Sequence, residues 1–288
     1  MKKLILALSA ATLMTTSANA ATIVGVDENN NLVTFNSSTP ESFDTSTQIT
    51  GTSATFLALD YRDSNGLLYG LADDLRVYTI NAMTGLATAV TGVLDVVGSN
   101  FGFDFNTVVD AIRVVGNLDD NYVVNVEAGT ATQFTDVAYG PGDVNAGQDP
   151  QVTGNAYLHG TPNQFAIGTN TDSLVMQANN AGTLTTVGSL GLDVGPRVGF
   201  DIDFDGTAYL SDVDTFHTVN LQTGAATLIG NLERPVFGIA VMPASAGAVP
   251  EPATWLMMIL GFGFIGGAVR QRKSNDKRQR ATVKFAQV

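Results

Sequence analysis

The chain has 288 residues, 44% of them hydrophobic, and no cysteine. That excludes wholesale disorder, thiol catalysis, cysteine-held zinc and iron–sulfur clusters, and with only His159 and His217 as imidazoles it also excludes histidine-rich metal sites. Residues 21–249 carry five arginines, no lysine and 25 acidic residues, a net charge of −20 against −13 for the whole chain; such a surface repels phosphate backbones and excludes nucleic acid as a partner.

The first residues have the three parts of a secretory signal. Lys2 and Lys3 precede an apolar run over residues 4–14, and Ala18-Asn19-Ala20 has the A-x-A form of a cleavage site. The run is too short to span a bilayer. The pattern predicts a signal peptide over residues 1–20 and a mature chain beginning at Ala21.

The body, residues 21–243, has no long stretch of helical period. Short runs of Val, Ile, Leu, Phe, Tyr and Thr alternate with Gly, Asn and Asp, which reads as strands and turns. Five hairpins recur, over residues 22–36, 67–81, 111–127, 164–178 and 207–220, with turn centres near Asn29, Asp74, Asp119, Thr171 and Asp214. The spacings of the centres are 45, 45, 52 and 43 residues. A further strand follows each hairpin, entered twice through the same N-x-x-T-G-x-A-T turn, Asn81 to Thr88 and Asn220 to Thr227. Another strand precedes each later hairpin, near residues 56–61, 101–105, 153–159 and 198–204. Four strands in about 45 residues is the size of a propeller blade. The first unit lacks its inner strand, and residues 236–242 supply that type at the other end. The expected fold is therefore all-β, a five-bladed β-propeller closed by its last strand pairing near Ile23 to Asp27; the alternatives are a β-sandwich or a β-solenoid.

Within this body, Asp201-x-Asp203-x-Asp205-Gly206 with Asp212 eleven positions on has the ligand spacing of a calcium loop. Calcium is the cofactor these carboxylates would take. The same strand register recurs around Asp60 and Asp104, with Asp203 as their expected counterpart, but without a full ligand set, which reads as a blade element. Only under the enzymatic alternative would Asp60, Asp104 and Asp201 or Asp203 meet at a central funnel as acid and base for glycoside cleavage; aspartates that close strand ends are commoner. No nucleophile elbow, H-E-x-x-H or P-loop is present, and the chain is expected not to be an enzyme.

The C-terminal end begins with a loose linker, residues 244–252, that closes on Pro250-Glu251-Pro252. An uncharged run follows over residues 253–269, with Trp255 near its start, and is just long enough to span a bilayer as a transmembrane helix. Arg270, Arg272 and Lys273 open a basic segment, residues 270–288, that the positive-inside rule keeps cytoplasmic. Gly261, Gly263 and Gly266 match a dinucleotide-binding spacing, but no βαβ unit surrounds them, so no such cofactor is expected.

Pro250-Glu251-Pro252, Trp255, Gly261-Phe262-Gly263, Gly266 and Arg270 together resemble the PEP-CTERM sorting tail of Gram-negative bacteria; here the chain runs on through Val288. The resemblance implies an exosortase-type partner, a membrane-anchored precursor exported through the inner membrane, and delivery to the cell surface or beyond. It also implies an association with exopolysaccharide and biofilm matrix. The body, through Leu59-Asp60-Tyr61-Arg62, Leu68-Tyr69-Gly70-Leu71 and Asn81 to Thr88, resembles a family of exported bacterial domains of unknown function. The function expected from all this is a surface-sorted, non-enzymatic binding or structural module of the extracellular matrix. The alternatives are a polysaccharide-acting enzyme using the funnel carboxylates, or a calcium-dependent adhesion module.

Overall fold

The computed structural model describes residues 20–243; the expected signal peptide, sorting motif and transmembrane segment lie outside them. Among the described residues no helix is long and apolar enough to cross a membrane. Five sheets account for nearly all regular structure. Blade 1 joins β1 (Thr22–Asp27), β2 (Asn31–Asn36) and β3 (Phe43–Gln48) to the last strand, β21 (Val236–Val241). Blade 2 contains β4 (Phe56–Arg62), β5 (Leu67–Ala72), β6 (Val77–Ile80) and β7 (Ala87–Ala89). Blade 3 contains β8 (Phe101–Asn106), β9 (Ala111–Gly116), β10 (Asn121–Asn125) and β11 (Thr130–Gln133). Blade 4 contains β12 (Ala138–Tyr139), β13 (Val152–Tyr157), β14 (Gln164–Gly168), β15 (Ser173–Ala178) and β16 (Thr183–Ser189). Blade 5 contains β17 (Val198–Ile202), β18 (Ala208–Asp212), β19 (Thr215–Val219) and β20 (Ala226–Asn231).

The innermost strands β21, β4, β8, β13 and β17 contact one another in that order and close a ring. This is the expected five-bladed propeller, and the closed ring rules out both the sandwich and the open solenoid. Closure is antiparallel, with Ile23 opposite Val241 and Asp27 opposite Val236. The long 52-residue spacing has a local cause. The segment between β11 and β13 carries an extra strand, β12, which adds in parallel to β16 and gives blade 4 five strands.

The middle hairpin turn of each blade, between its second and third strands counted from the axis, places one residue in the left-handed region: Asn30, Leu75, Asp119, Asp172 and Val213. Asn and Asp tolerate it, whereas a leucine and a β-branched valine seldom adopt it and are held by the flanking strands. The repeated turn motif docks neighbouring blades. Asn81 Oδ1 accepts the amides of Met83 and Thr84, both at 3.0 Å. Gly85 then sits at φ +70°, so close to blade 1 that a Cβ would lie 2.3 Å from the Gln48 carbonyl oxygen. Only glycine meets both conditions. Asn220 and Gly224 repeat the arrangement in blade 5 against Gly188.

The core is divided among the five seams between blades. Phe56, Tyr78 and Leu32 fill the seam between blades 1 and 2; Phe101, Phe103 and Ile112 fill the next. Phe200, Leu210 and Leu174 pack between blades 4 and 5, and Phe35, Phe216 and Tyr209 between blades 5 and 1. The seam between blades 3 and 4 has a smaller cluster around Val115, Val152 and Leu184. Removing residues 236–243 would strip blade 1 of its inner strand and expose the edge of β1. We expect the truncated protein to aggregate, or to melt at a much lower temperature, by size-exclusion chromatography and thermal unfolding. A monomer with unchanged melting temperature would contradict ring closure by β21.

Candidate functional site at the propeller axis

The inner strands share one register near the axis. Asp60 in β4, Asp104 in β8 and Asp201 in β17 stand at equivalent positions, and Ala156 in β13 and Ala240 in β21 occupy the same place in the other two blades. The residue after each position directs a backbone amide toward the ring, where no strand pairs with it. Three carboxylates satisfy all five. Asp60 accepts its own strand's Tyr61 amide at 2.6 Å and the next blade's Phe105 amide at 2.7 Å. Asp104 accepts the Tyr157 amide at 2.9 Å. Asp201 accepts its own strand's Ile202 amide and the Val241 amide of blade 1, both at 2.6 Å. The two own-strand bonds fall where the preceding blade offers only alanine. The Asp104 carboxyl also lies within hydrogen-bond reach of the Asp60 carboxyl.

All three carboxylates are more than nine-tenths buried, and one oxygen of each lies within 4.8 Å of the others. Burial pushes Asp60 and Asp104 well above the ordinary carboxylate range, helped by the charges of their neighbours, Asp201 on Asp60 and both Asp60 and Asp201 on Asp104. Asp201 is pushed up to about 7 by burial, against the opposing effect of its two amide bonds. These are the residues able to hold a cation. Above them is a cavity of about 40 Å³ that opens on a rim containing Asp63, Thr107, His159, Asp203 and Phe204. His159 Nε2 lies 2.7 Å from Asp63 Oδ2. Its ring is 3.7 Å, centroid to centroid, from that of Phe204, which is 55% exposed. Pro243, the last described residue, also borders this mouth.

The structure separates the four positions of the calcium-loop spacing. Asp201 is on the axis, opposite Tyr209, whereas Asp212 is opposite Val198 at the other end of the β17–β18 hairpin, where it accepts the Gly195 amide at 3.0 Å. Asp203 and Asp205 serve the tight turn between these strands, accepting the amides of Phe204 at 2.6 Å and Thr207 at 2.8 Å, with Gly206 at φ +86°. The local spacing is a hairpin turn, and the counterpart of Asp60 and Asp104 is Asp201 rather than the expected Asp203, which lies past the end of β17 in that turn. Phe204 lies beyond the end of β17 and faces out, not into the alternation of a half-buried strand. The Asp63–His159 pair joins residues 96 apart in the chain, each just past the end of an inner strand. Their common offset from Asp60 and Ala156 is the one sequence signal that marks them.

A closed ring of five four- or five-stranded sheets defines a five-bladed β-propeller. The chain belongs to the family described as domain of unknown function DUF4394, whose profile matches residues 31–240. Residues 248–273 match the PEP-CTERM protein-sorting motif, so the protein is exported, processed at the membrane and sorted to the cell surface, with an exosortase as its general sorting partner. No curated protein matches. Among solved structures, one from a nidogen/laminin complex is similar, with a TM-score of 0.53 and 10% identity over 77% of this chain and 98% of that one. A protein of unknown function from Bacteroides thetaiotaomicron has a TM-score of 0.49 and 14% identity over 80% of this chain and 63% of its own. At these identities the likeness to the first shows the fold alone.

The axial carboxylates make stability depend on pH. Asp201 has an ordinary value of 3.8 and a folded value of about 7, and Asp60 and Asp104 are raised as well. The folded state thus binds more protons than the unfolded state from about pH 4 upward, and stability falls as pH rises through 7. In buffer containing a chelator we expect the melting temperature to drop by roughly 5 °C or more between pH 5 and pH 8. Asp104→Asn, which keeps an oxygen for the Tyr157 amide, should flatten that slope. An identical slope in the variant would remove the triad as its source.

Proposed function

We propose that this protein is a non-enzymatic, surface-sorted module of the extracellular matrix, and that exopolysaccharide lies across the axial mouth against Phe204. The observation that carries the reading is the exposed Phe204 ring backed by His159, whose imidazole is fixed by Asp63. An aromatic face held rigidly at a rim, with carboxylate and hydroxyl groups beside it, suits the apolar face and hydroxyls of a sugar. The cavity beneath argues against catalysis. At about 40 Å³ it admits water or an ion, whereas pockets that enclose small molecules run to roughly 300–1,000 Å³. Its carboxylates are occupied by backbone amides and bunch together, where glycoside cleavage needs two that flank the scissile bond. In the precursor, the apolar segment 253–269 would hold the chain in the inner membrane until exosortase processing near Pro250 to Pro252.

The test is a glycan array, followed by calorimetry, with residues 21–249. We expect retention of matrix polysaccharide, a roughly tenfold weaker affinity for Phe204→Ala, which corresponds to about 1.4 kcal/mol, and no shortened saccharide among the products. Equal binding by wild type and variant would remove the rim from the function. Release of shortened saccharides would establish the enzymatic alternative.

A second reading, a calcium-dependent module, is favoured by the three carboxylate oxygens within 4.8 Å. Hard oxygen ligands suit calcium, and an ion would offset the mutual repulsion of Asp60, Asp104 and Asp201. Extracellular calcium sites are weak, with dissociation constants on the order of 0.1–1 mM, so the melting temperature should rise at about 10 mM calcium. Asp104→Asn should abolish the rise, and Asp203→Asn with Asp205→Asn should leave it. No rise in the wild type would end this reading without touching the first.

A further inference from the structure

We infer that the propeller axis contains an internal water site, built by Asn155 and Thr153 of β13 at the seam between blades 3 and 4. One residue below the carboxylate layer, the inner strands present Leu59, Phe103, Asn155, Phe200 and Ile239. Four are apolar and one is an amide. Asn155 is 1% exposed, and among the described residues neither its Oδ1 nor its Nδ2 has a protein hydrogen-bond partner; Thr153 is 2% exposed and its Oγ1 has no protein partner there either. Both residues line an axial cavity of about 10 Å³, together with Leu59, Phe103, Phe200 and Ile239.

The explanation that needs no ligand fails. Turning the Asn155 amide over exchanges its two polar atoms, but neither position has a protein partner, so the exchange satisfies nothing. On the blade 3 side Oδ1 already fills the space that Gly102 leaves, 2.4 Å from where a Cβ on that residue would be, so the amide packs against the Gly102 backbone. The chemistry of the site then selects its occupant. Nδ2 donates, Oδ1 accepts and Oγ1 does both, so the match is a neutral molecule that donates and accepts. A cavity of roughly 10–15 Å³ with two to four polar partners is what one buried water requires.

The surrounding seam supports the same conclusion. Its apolar cluster is small, with Ala166 and Val175 outward from Asn155, and two residues further along β13, at the level of Tyr157, the interface is polar. Arg113 donates to Asn121 Oδ1 at 2.8 Å and Asn180 Oδ1 at 2.7 Å, and Gln164 donates to Gln177 Oε1 at 3.1 Å. Gln164 Oε1 is itself buried without a partner. Four of the unpartnered buried atoms in the described residues therefore belong to this one seam.

The experiment is a high-resolution crystal structure of the full chain purified in detergent, with oxygen-17 relaxation dispersion to count long-lived internal waters. In the wild type we expect an ordered peak within 3.5 Å of both Asn155 and Thr153. Thr153→Val keeps the side-chain shape, and Asn155→Leu restores the residue type of the other blades. Either should lower the count of long-lived waters by one, and Thr153→Val keeps the test open if Asn155→Leu fails to fold. An axis without a peak, or an equal count in wild type and Thr153→Val, would overturn the inference.

Discussion

The inner edge of a propeller faces a problem that its outer strands do not. Each innermost strand pairs on one side only, and its other side turns toward the axis, where backbone amides meet neither a strand nor bulk water. An unpaired amide there is costly, so the ring must supply acceptors. Here Asp60, Asp104 and Asp201 supply them, two amides to the first, one to the second and two to the third. Three of these bonds cross from one blade to the next, so the same carboxylates that satisfy the backbone also tie the ring. The arrangement requires three acidic groups side by side in a buried place. Their raised proton affinity follows from this, as does the suitability of the spot for a cation.

The neck that brings these strands together depends on small residues. Two positions before the carboxylate layer the five blades carry Ala58, Gly102, Gly154, Gly199 and Gly238. A side chain at Gly199 would meet the Ile239 amide nitrogen at 2.8 Å, and one at Gly238 the Cα of Ala58 at 2.8 Å. The close approach set by the glycines places each carboxylate within reach of the neighbouring blade's amide. The narrow neck also keeps the cavity small, and that smallness weighs against an enclosed substrate.

Most of the architecture was legible because the hairpins recur in phase, and phase is a property that a sequence displays directly. Even the irregular spacing was visible, although the parallel strand at Ala138–Tyr139 that causes it was not, since two residues carry no period. The site was harder to read. The aspartates from Asp201 to Asp212 look like a ligand set because they are close in sequence, yet extended strands carry Asp201 and Asp212 to opposite ends of a hairpin. The recurrence of aspartates in the inner-strand register was the better signal, because residues in equivalent positions of a ring converge however far apart they lie in the chain, although the pattern matched Asp203 rather than Asp201 to Asp60 and Asp104. Which amides they would bind depends on the alanines at 156 and 240, whose meaning emerges only once the order of the blades around the axis is known. Phe204, Asp63 and His159 stand just outside the strands, where periodicity ends.

Closing the ring with β21 has a mechanical consequence. The chain runs from Val241 through Pro243 into the segment that carries the sorting signal, so tension on a tethered molecule enters the fold at the strand that completes it. Tension along β21 would load its rungs to β1 together, from Ile23–Val241 to Asp27–Val236, and shear them as a group; tension across it would open them one after another, starting at Val241. The Asp201 bond to the Val241 amide sits at that starting point and acts as a rivet on the first rung. The resistance of the body to a pull applied at Val241 is thus set by the direction of that pull relative to β21.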